Sequence, residues 1–193
     1  MKEELVRKVF NEIQIIDKGI LIRKAFLSKS ENIKSGIIEK ISEEDLNTLF
    51  NIYDEHFFSN YFKNEFKGKI KFSLSKRMNK SAGKTIVPRN IAVLSEENKS
   101  FEIKIGVNFL FEYYKVKREK NVGGIKTHDS LHALFIVFEH ELIHLLEFYV
   151  FGNSSCKNIR FKNIAFNIFK HKEAYHSLPT NSEIAAKNLG LNR

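Results

Sequence analysis

The chain has 193 residues, 42% of them hydrophobic and 18 of them phenylalanine, enough apolar surface for one sizeable core. Its single cysteine, Cys156, excludes an internal disulfide and a cysteine-built zinc ribbon, and its longest apolar run, Ala133 to Phe138, is far too short to cross a membrane. The net charge of +9 is uneven: residues 1–62 hold nine Lys/Arg against eleven Asp/Glu, which leaves +11 on residues 63–193 and suits a polyanionic partner such as DNA as well as a solvated lysine-rich surface.

The opening residues 1–8 are densely charged and unlike a secretory apolar region, so a cytoplasmic location without membrane attachment is expected. Residues 1–62 are expected to form a helical N-terminal part. Within it Leu46, Leu49, Phe50, Tyr53, Phe57, Tyr61 and Phe62 recur at helical spacing behind Ser42, which is placed to cap the helix with Asp45 three residues on. Alternation with the period of a half-buried strand follows at Ile70, Phe72 and Leu74, and again at Phe101, Ile103, Ile105 and Val107. A third strand is expected within Lys84 to Leu94. Residues 115–124 read as a basic loop ending in a flexible Gly123-Gly124 turn, and Lys115, Lys117, Arg118 and Lys120 are its candidate nucleic-acid contacts.

The longest helix comes next. Thr127 or Asp129 caps its start, Leu131, Leu134, Phe135, Phe138, Leu142, Leu145 and Tyr149 supply its apolar face, and Gly152-Asn153 stops it. Another helix is expected from about Lys157 to Phe169 and a short one from Ser182 to Leu189. With no internal repeat and no Pro/Ser-rich linker, these elements predict a single α+β domain over residues 1–193, with helices packed on a small antiparallel sheet of about three strands. Residues 63–193 hold the sheet and the chemistry.

That chemistry centres on His140-Glu141-Leu142-Ile143-His144. Histidines four apart on a helix project from one face about 6 Å from each other, which suits two ligands of one tetrahedral zinc. Glu141 is turned roughly 100° away. It therefore reaches a water held by the metal without taking a coordination site, and acts as general base on it. The bland alternative is a pair of histidines that only satisfy hydrogen bonds. Against it stands the setting, two imidazoles and a carboxylate in mid-helix among apolar residues, where unpaired polar groups are costly.

Several further motifs fall in a telling order. Ser75, Arg77, Met78, Ala82 and Gly83 form a Ser-x-Arg-Met…Ala-Gly element, the strand Phe101 to Ile105 follows, and then the His140-Glu141-x-x-His144 helix. Phe161 to Phe169, His171 and Tyr175-His176 close the series. Together they resemble the SprT-like metallopeptidases, a family that includes the Spartan proteases acting on DNA–protein crosslinks. The resemblance covers most of the chain and implies a zincin-like fold, a Zn2+ cofactor, endopeptidase activity on protein or peptide substrates, and association with DNA.

One departure from the family matters. Its third zinc ligand is a histidine four residues before the aromatic residue matched by Phe161, and that position here is Lys157, whose protonated amine cannot bind zinc. Cys156 is the first substitute, since a thiolate is a good zinc ligand, and His176 is the second. His171 lies about 20 Å along the helix from its start and is a poorer one. Glu147 shares the helix face of His140; solvent exposure is expected for it, and orientation of a ligand is the other reading. Arg77 either is structural or steadies substrate, and His56, His128 and His132 are not expected to bind metal. Two rivals to a peptidase remain: a degenerate relative that binds nucleic acid without cutting protein, and a di-iron bundle built on the pairs Glu141/His144 and Glu173/His176.

Overall fold

In the computed structural model, which describes residues 2–78 and 81–188, the chain opens with one helical turn, α1 (Lys2–Leu5), and a long helix, α2 (Glu12–Lys29). Asn11 starts α2: its side chain accepts the Gln14 N–H while the Gln14 side chain accepts the Asn11 N–H, so two otherwise orphan donors are satisfied. The same device starts α3 (Glu43–Phe58), where Ser42 and Asp45 exchange hydrogen bonds. Burial raises the Asp45 pKa, but hydrogen bonds from Ser30, Asn32 and Ser42 outweigh that and hold its carboxyl below the ordinary range.

The helix expected to run on to Phe62 breaks at Ser59 and Asn60. Both adopt left-handed backbone at φ 59°, and the chain restarts as the short α4 (Tyr61–Asn64). Asp54 makes the break possible. Its carboxylate reaches past the end of α3 to accept the N–H groups of Phe62 at 3.0 Å and Lys63 at 2.9 Å, which caps the second helix.

Three strands follow, β1 (Lys69–Ser75), β2 (Gly83–Ile86) and β3 (Ser100–Gly106), in the spatial order β1-β3-β2. Only part of the expected antiparallel sheet is present. β3 runs antiparallel to β2, with Thr85 opposite Ile103, but parallel to β1, with Ile70 opposite Phe101. Alternation reports which face a residue occupies and carries no direction. Direction is set by the connection: after β2 the 3-10 turns Ile91–Val93 and Glu96–Asn98 return the chain to the end of the sheet where β1 begins, and the Lys69 N–H donates to the Lys99 carbonyl at 2.9 Å. The third strand begins at Gly83, one residue ahead of the expected window, and stops before Pro88, which lacks the N–H a ladder needs. Phe101, Ile103 and Ile105 of the central strand are fully buried.

A one-turn helix, α5 (Asn108–Phe111), leads into the basic segment, which is not simply a loop. It closes as a two-residue ladder, β4 (Asn121–Val122) against β5 (Ile125–Lys126). Gly123 and Gly124 make the turn at φ 59° and 74°, a conformation that glycine adopts without strain. Gly123 is also a close-approach site, because a Cβ there would lie 3.0 Å from the His171 ring.

α6 (Ser130–Phe151) is the core of the molecule. Asp129 caps it by accepting the His132 N–H at 2.7 Å and is itself held by Arg23 of α2, and Gly152 ends it at φ 72°. α6 is apolar on nearly every side, as a helix enclosed by other elements must be. Tyr53 of α3 packs its ring near Phe135 and Phe138 of α6, and α7 (Ile159–Phe169) adds Phe169 to the same cluster. A last helix, α8 (Asn181–Asn188), follows; Leu189, expected to belong to it, lies outside the described residues. The protein is thus α+β, with eight helices and a small mixed sheet among the described residues, none of the helices long and apolar enough to cross a membrane.

Candidate metal centre

α6 places His140 and His144 one turn apart, with ring centroids 4.9 Å apart and the two Nε2 atoms 3.2 Å apart. Two nitrogens bound to one tetrahedral zinc stand about 3.3 Å from each other, so the pair already has the spacing a shared ion requires. Phe161, in the first turn of α7, fixes both rings from one side at centroid distances of 4.8 and 4.5 Å. Cys156, in the turn before α7, supplies a third donor. The ligand atoms of His140, His144 and Cys156 all lie within 4.8 Å of one another, and among the described residues no other such cluster of three occurs. Nitrogen and sulfur ligands of zinc sit about 3.3–3.6 Å apart, so a movement of about an ångström gathers all three on one ion. Burial, then the neighbouring His144, pushes the His140 pKa down to about 3. Burial pushes His144 down to about 4 against the opposing pull of Glu147. Both imidazoles are neutral near pH 7, the form that binds metal.

Glu141 points the other way, toward β2. It is 3% exposed, and its Oε2 accepts the Thr85 hydroxyl at 2.8 Å. Burial pushes its pKa up to about 7, with the Thr85 hydrogen bond pulling in the opposite direction. A carboxylate poised near neutrality is suited to take up and return a proton. Gly83 makes room for it: a Cβ there would lie 2.7 Å from Glu141 Cγ and Oε1. The small Ala82-Gly83 pair of the sequence motif therefore lets the edge strand pass over the acid.

Glu147 does not face solvent. It is fully buried, and the reason is a set of partners that spacing on the helix could not reveal. Its Oε2 accepts the Ser154 hydroxyl at 2.6 Å and its Oε1 accepts the Arg160 Nε at 2.6 Å. Ser154 in turn lies 2.7 Å from Nδ1 of His144.

The other candidates are placed as follows. His176 lines the same cleft, but its Nε2 accepts the Ala82 N–H at 3.2 Å and it is not part of the three-donor cluster. His171 is buried with its Nε2 2.7 Å from Glu139, and His132 stacks on His128 at 4.3 Å. Lys157 and Arg77 are exposed. Two of the four basic-loop candidates also hold their own segment together. Arg118 pairs with Glu183 at 2.8 Å and also donates to the Leu178 carbonyl, while Lys120 is 7% exposed and donates to the carbonyls of Val116 and Arg118. Lys115 is exposed beside Glu112, and Lys117 is exposed. Charge counting along the sequence cannot distinguish a lysine that closes its own loop from one that faces water.

A cleft of about 610 Å³ opens over the cluster. Residues of β2 line it, as do Val122, Gly123 and residues 174–176, which are joined by the Gly123 N–H to the Tyr175 carbonyl at 3.0 Å. β2 is paired only with β3 among the described residues, so its outer edge is open along this wall. Thr85 and Ser154 are the site residues that sequence reasoning missed. Neither has a signal beyond being a hydroxyl near a motif.

No protein-family profile, curated protein or solved structure matches the chain.

Proposed function

We propose that the protein is a zinc-dependent endopeptidase of the SprT-like kind. The observation that carries this reading is the convergence of His140, His144 and Cys156 on one point beside the buried Glu141, at the foot of an open strand edge. The three donors fit zinc by their chemistry, two neutral imidazoles and a potential thiolate, and His140, His144 and Cys156 would hold it. Bound zinc would supply Lewis acidity to a peptide carbonyl and would lower the pKa of water to about 7.

The chain's own residues supply the rest. The outer edge of β2 pairs with an extended peptide, whose main chain then lies along the cleft wall. Glu141, with its pKa near neutrality, accepts a proton from the attacking water and returns it to the leaving amine. Thr85 holds that carboxylate in place, and Phe161 keeps both imidazoles from turning. Cys156 stands in for the histidine that the family carries one position later, so Lys157 does not by itself argue for a protein without proteolysis. Association with DNA is part of the proposal on the charge asymmetry alone, with Lys115 and Lys117 as the contacts retained from the basic segment.

The test is cleavage of an unfolded protein such as casein by zinc-loaded protein. Glu141→Gln is expected to keep its zinc and lose cleavage by at least about a hundredfold, the lower range of what a general base contributes. Wild-type cleavage by that variant, or none by the wild type with zinc bound, contradicts the proposal.

A further inference from the structure

Glu147 is a charged side chain with no exposed surface, and a buried carboxylate persists only where its charge is paired and its oxygens accept hydrogen bonds. All of that is supplied here. Arg160 pairs with Oε1, and the Ser154 hydroxyl and Ser155 N–H both donate to Oε2, at 2.6 and 3.4 Å. Arg160 is anchored in turn by the Asn153 carbonyl at 3.0 Å and side-chain oxygen at 2.7 Å, and it lies over the Phe151 ring at 4.2 Å. The end of α6, the loop after it and the start of α7 are thereby locked around one carboxylate.

The directions of these hydrogen bonds are fixed by chemistry. An ionised carboxylate only accepts, so the Ser154 proton points at Glu147. With its one proton used, Ser154 Oγ accepts from His144, and Nδ1 of that ring carries the hydrogen. Nε2 of His144 is then a bare lone pair facing His140 Nε2 and Cys156. We infer that Glu147 and Ser154 are positioning residues that set the tautomer of His144, so that its Nε2 is presented as a metal ligand before any metal arrives. The relay differs from a carboxylate bonded directly to a ligating histidine by the interposed hydroxyl, which lets an acid three residues along the same helix act on His144 through the loop. The inference about the tautomer stands on hydrogen-bond geometry; its consequence for metal affinity rests on the proposed zinc site.

Two variants separate the parts. Ser154→Ala removes the hydroxyl and leaves Glu147 paired with Arg160, and Ser154→Thr restores the hydroxyl in a loop of similar bulk. In metal-free protein, two-bond proton–nitrogen correlation spectra of the histidine rings at about pH 7.5, above the ordinary histidine pKa, read the tautomer directly. The wild type and Ser154→Thr are expected to show His144 protonated on Nδ1, and Ser154→Ala to shift it wholly or partly to Nε2. A wild-type His144 protonated on Nε2, or a spectrum unchanged in Ser154→Ala, overturns the relay. Zinc competition against a chromogenic chelator is the second measurement. Ser154→Ala is expected to bind zinc about ten- to a hundredfold more weakly, with Ser154→Thr close to wild type. Equal affinities in all three overturn the positioning role. A wild type that binds no zinc contradicts the proposed function while the tautomer spectra still decide the relay.

Discussion

Thr85 of β2 donates its hydroxyl to Oε2 of Glu141 in α6 across 2.8 Å, a hydrogen bond that ties the edge strand to the acid next to His140. The bond favours the ionised carboxylate, against a burial that favours the neutral acid. Thr85→Val keeps the shape and removes the donor, so the Glu141 pKa is expected to rise. The acid limb of the pH profile for casein cleavage should move to higher pH, and stability should fall by about 1–2 kcal/mol. An unmoved acid limb would detach Thr85 from the chemistry.

Glu141 also predicts a stability difference that depends on pH. Its folded pKa is raised from 4.5 to about 7, so the metal-free protein is free of the burial penalty below pH 4.5, where folded and unfolded chains both carry the neutral acid. The penalty grows as pH rises between 4.5 and 7 and is complete above that. Glu141→Gln carries no such penalty at any pH. Metal-free Glu141→Gln should therefore match wild type in thermal melts at pH 4.5 and exceed it at pH 8, by roughly 1–3 kcal/mol. A gap of the same size at both pH values would place the effect in packing instead.

Much of this arrangement is legible in residues 127–152. Asp129 and Gly152 bound the helix as their side-chain chemistry and backbone freedom require, and the fourfold spacing of His140 and His144 carries over directly into a pair of facing nitrogens. The Ser42–Asp45 cap is equally local and equally readable. What was not legible depends on partners distant in space or on chain direction. Glu147 looks like a surface residue until Arg160 and Ser154 arrive from the next loop and helix. Lys120 looks like a phosphate contact until its own loop closes on it, and alternation in β1 and β3 has no means of announcing a parallel pair. Cys156 sits between these cases: the thiol is visible in the sequence, but only the turn ahead of α7 brings it to the histidines.

The basic segment yields a prediction that separates its residues. Binding of single-stranded DNA is expected to weaken steeply with salt, because phosphate contacts release counterions. Reversing Lys115 and Lys117 to Glu should weaken it for all sequences alike. Lys120→Met should instead lower thermal stability, because Lys120 holds the carbonyls of Val116 and Arg118, and it should leave the salt dependence of DNA binding unchanged. No binding by wild type at low salt would reduce the charge asymmetry to a solvated surface.

Zinc content of the purified chain after zinc supply and desalting, read by elemental analysis against protein concentration, bears most directly on the whole account. One zinc per chain is expected, absent in His140→Ala and His144→Ala and reduced in Cys156→Ala, whose thiol is the third donor of the cluster. A wild-type chain that retains no zinc would contradict the metallopeptidase reading at its base.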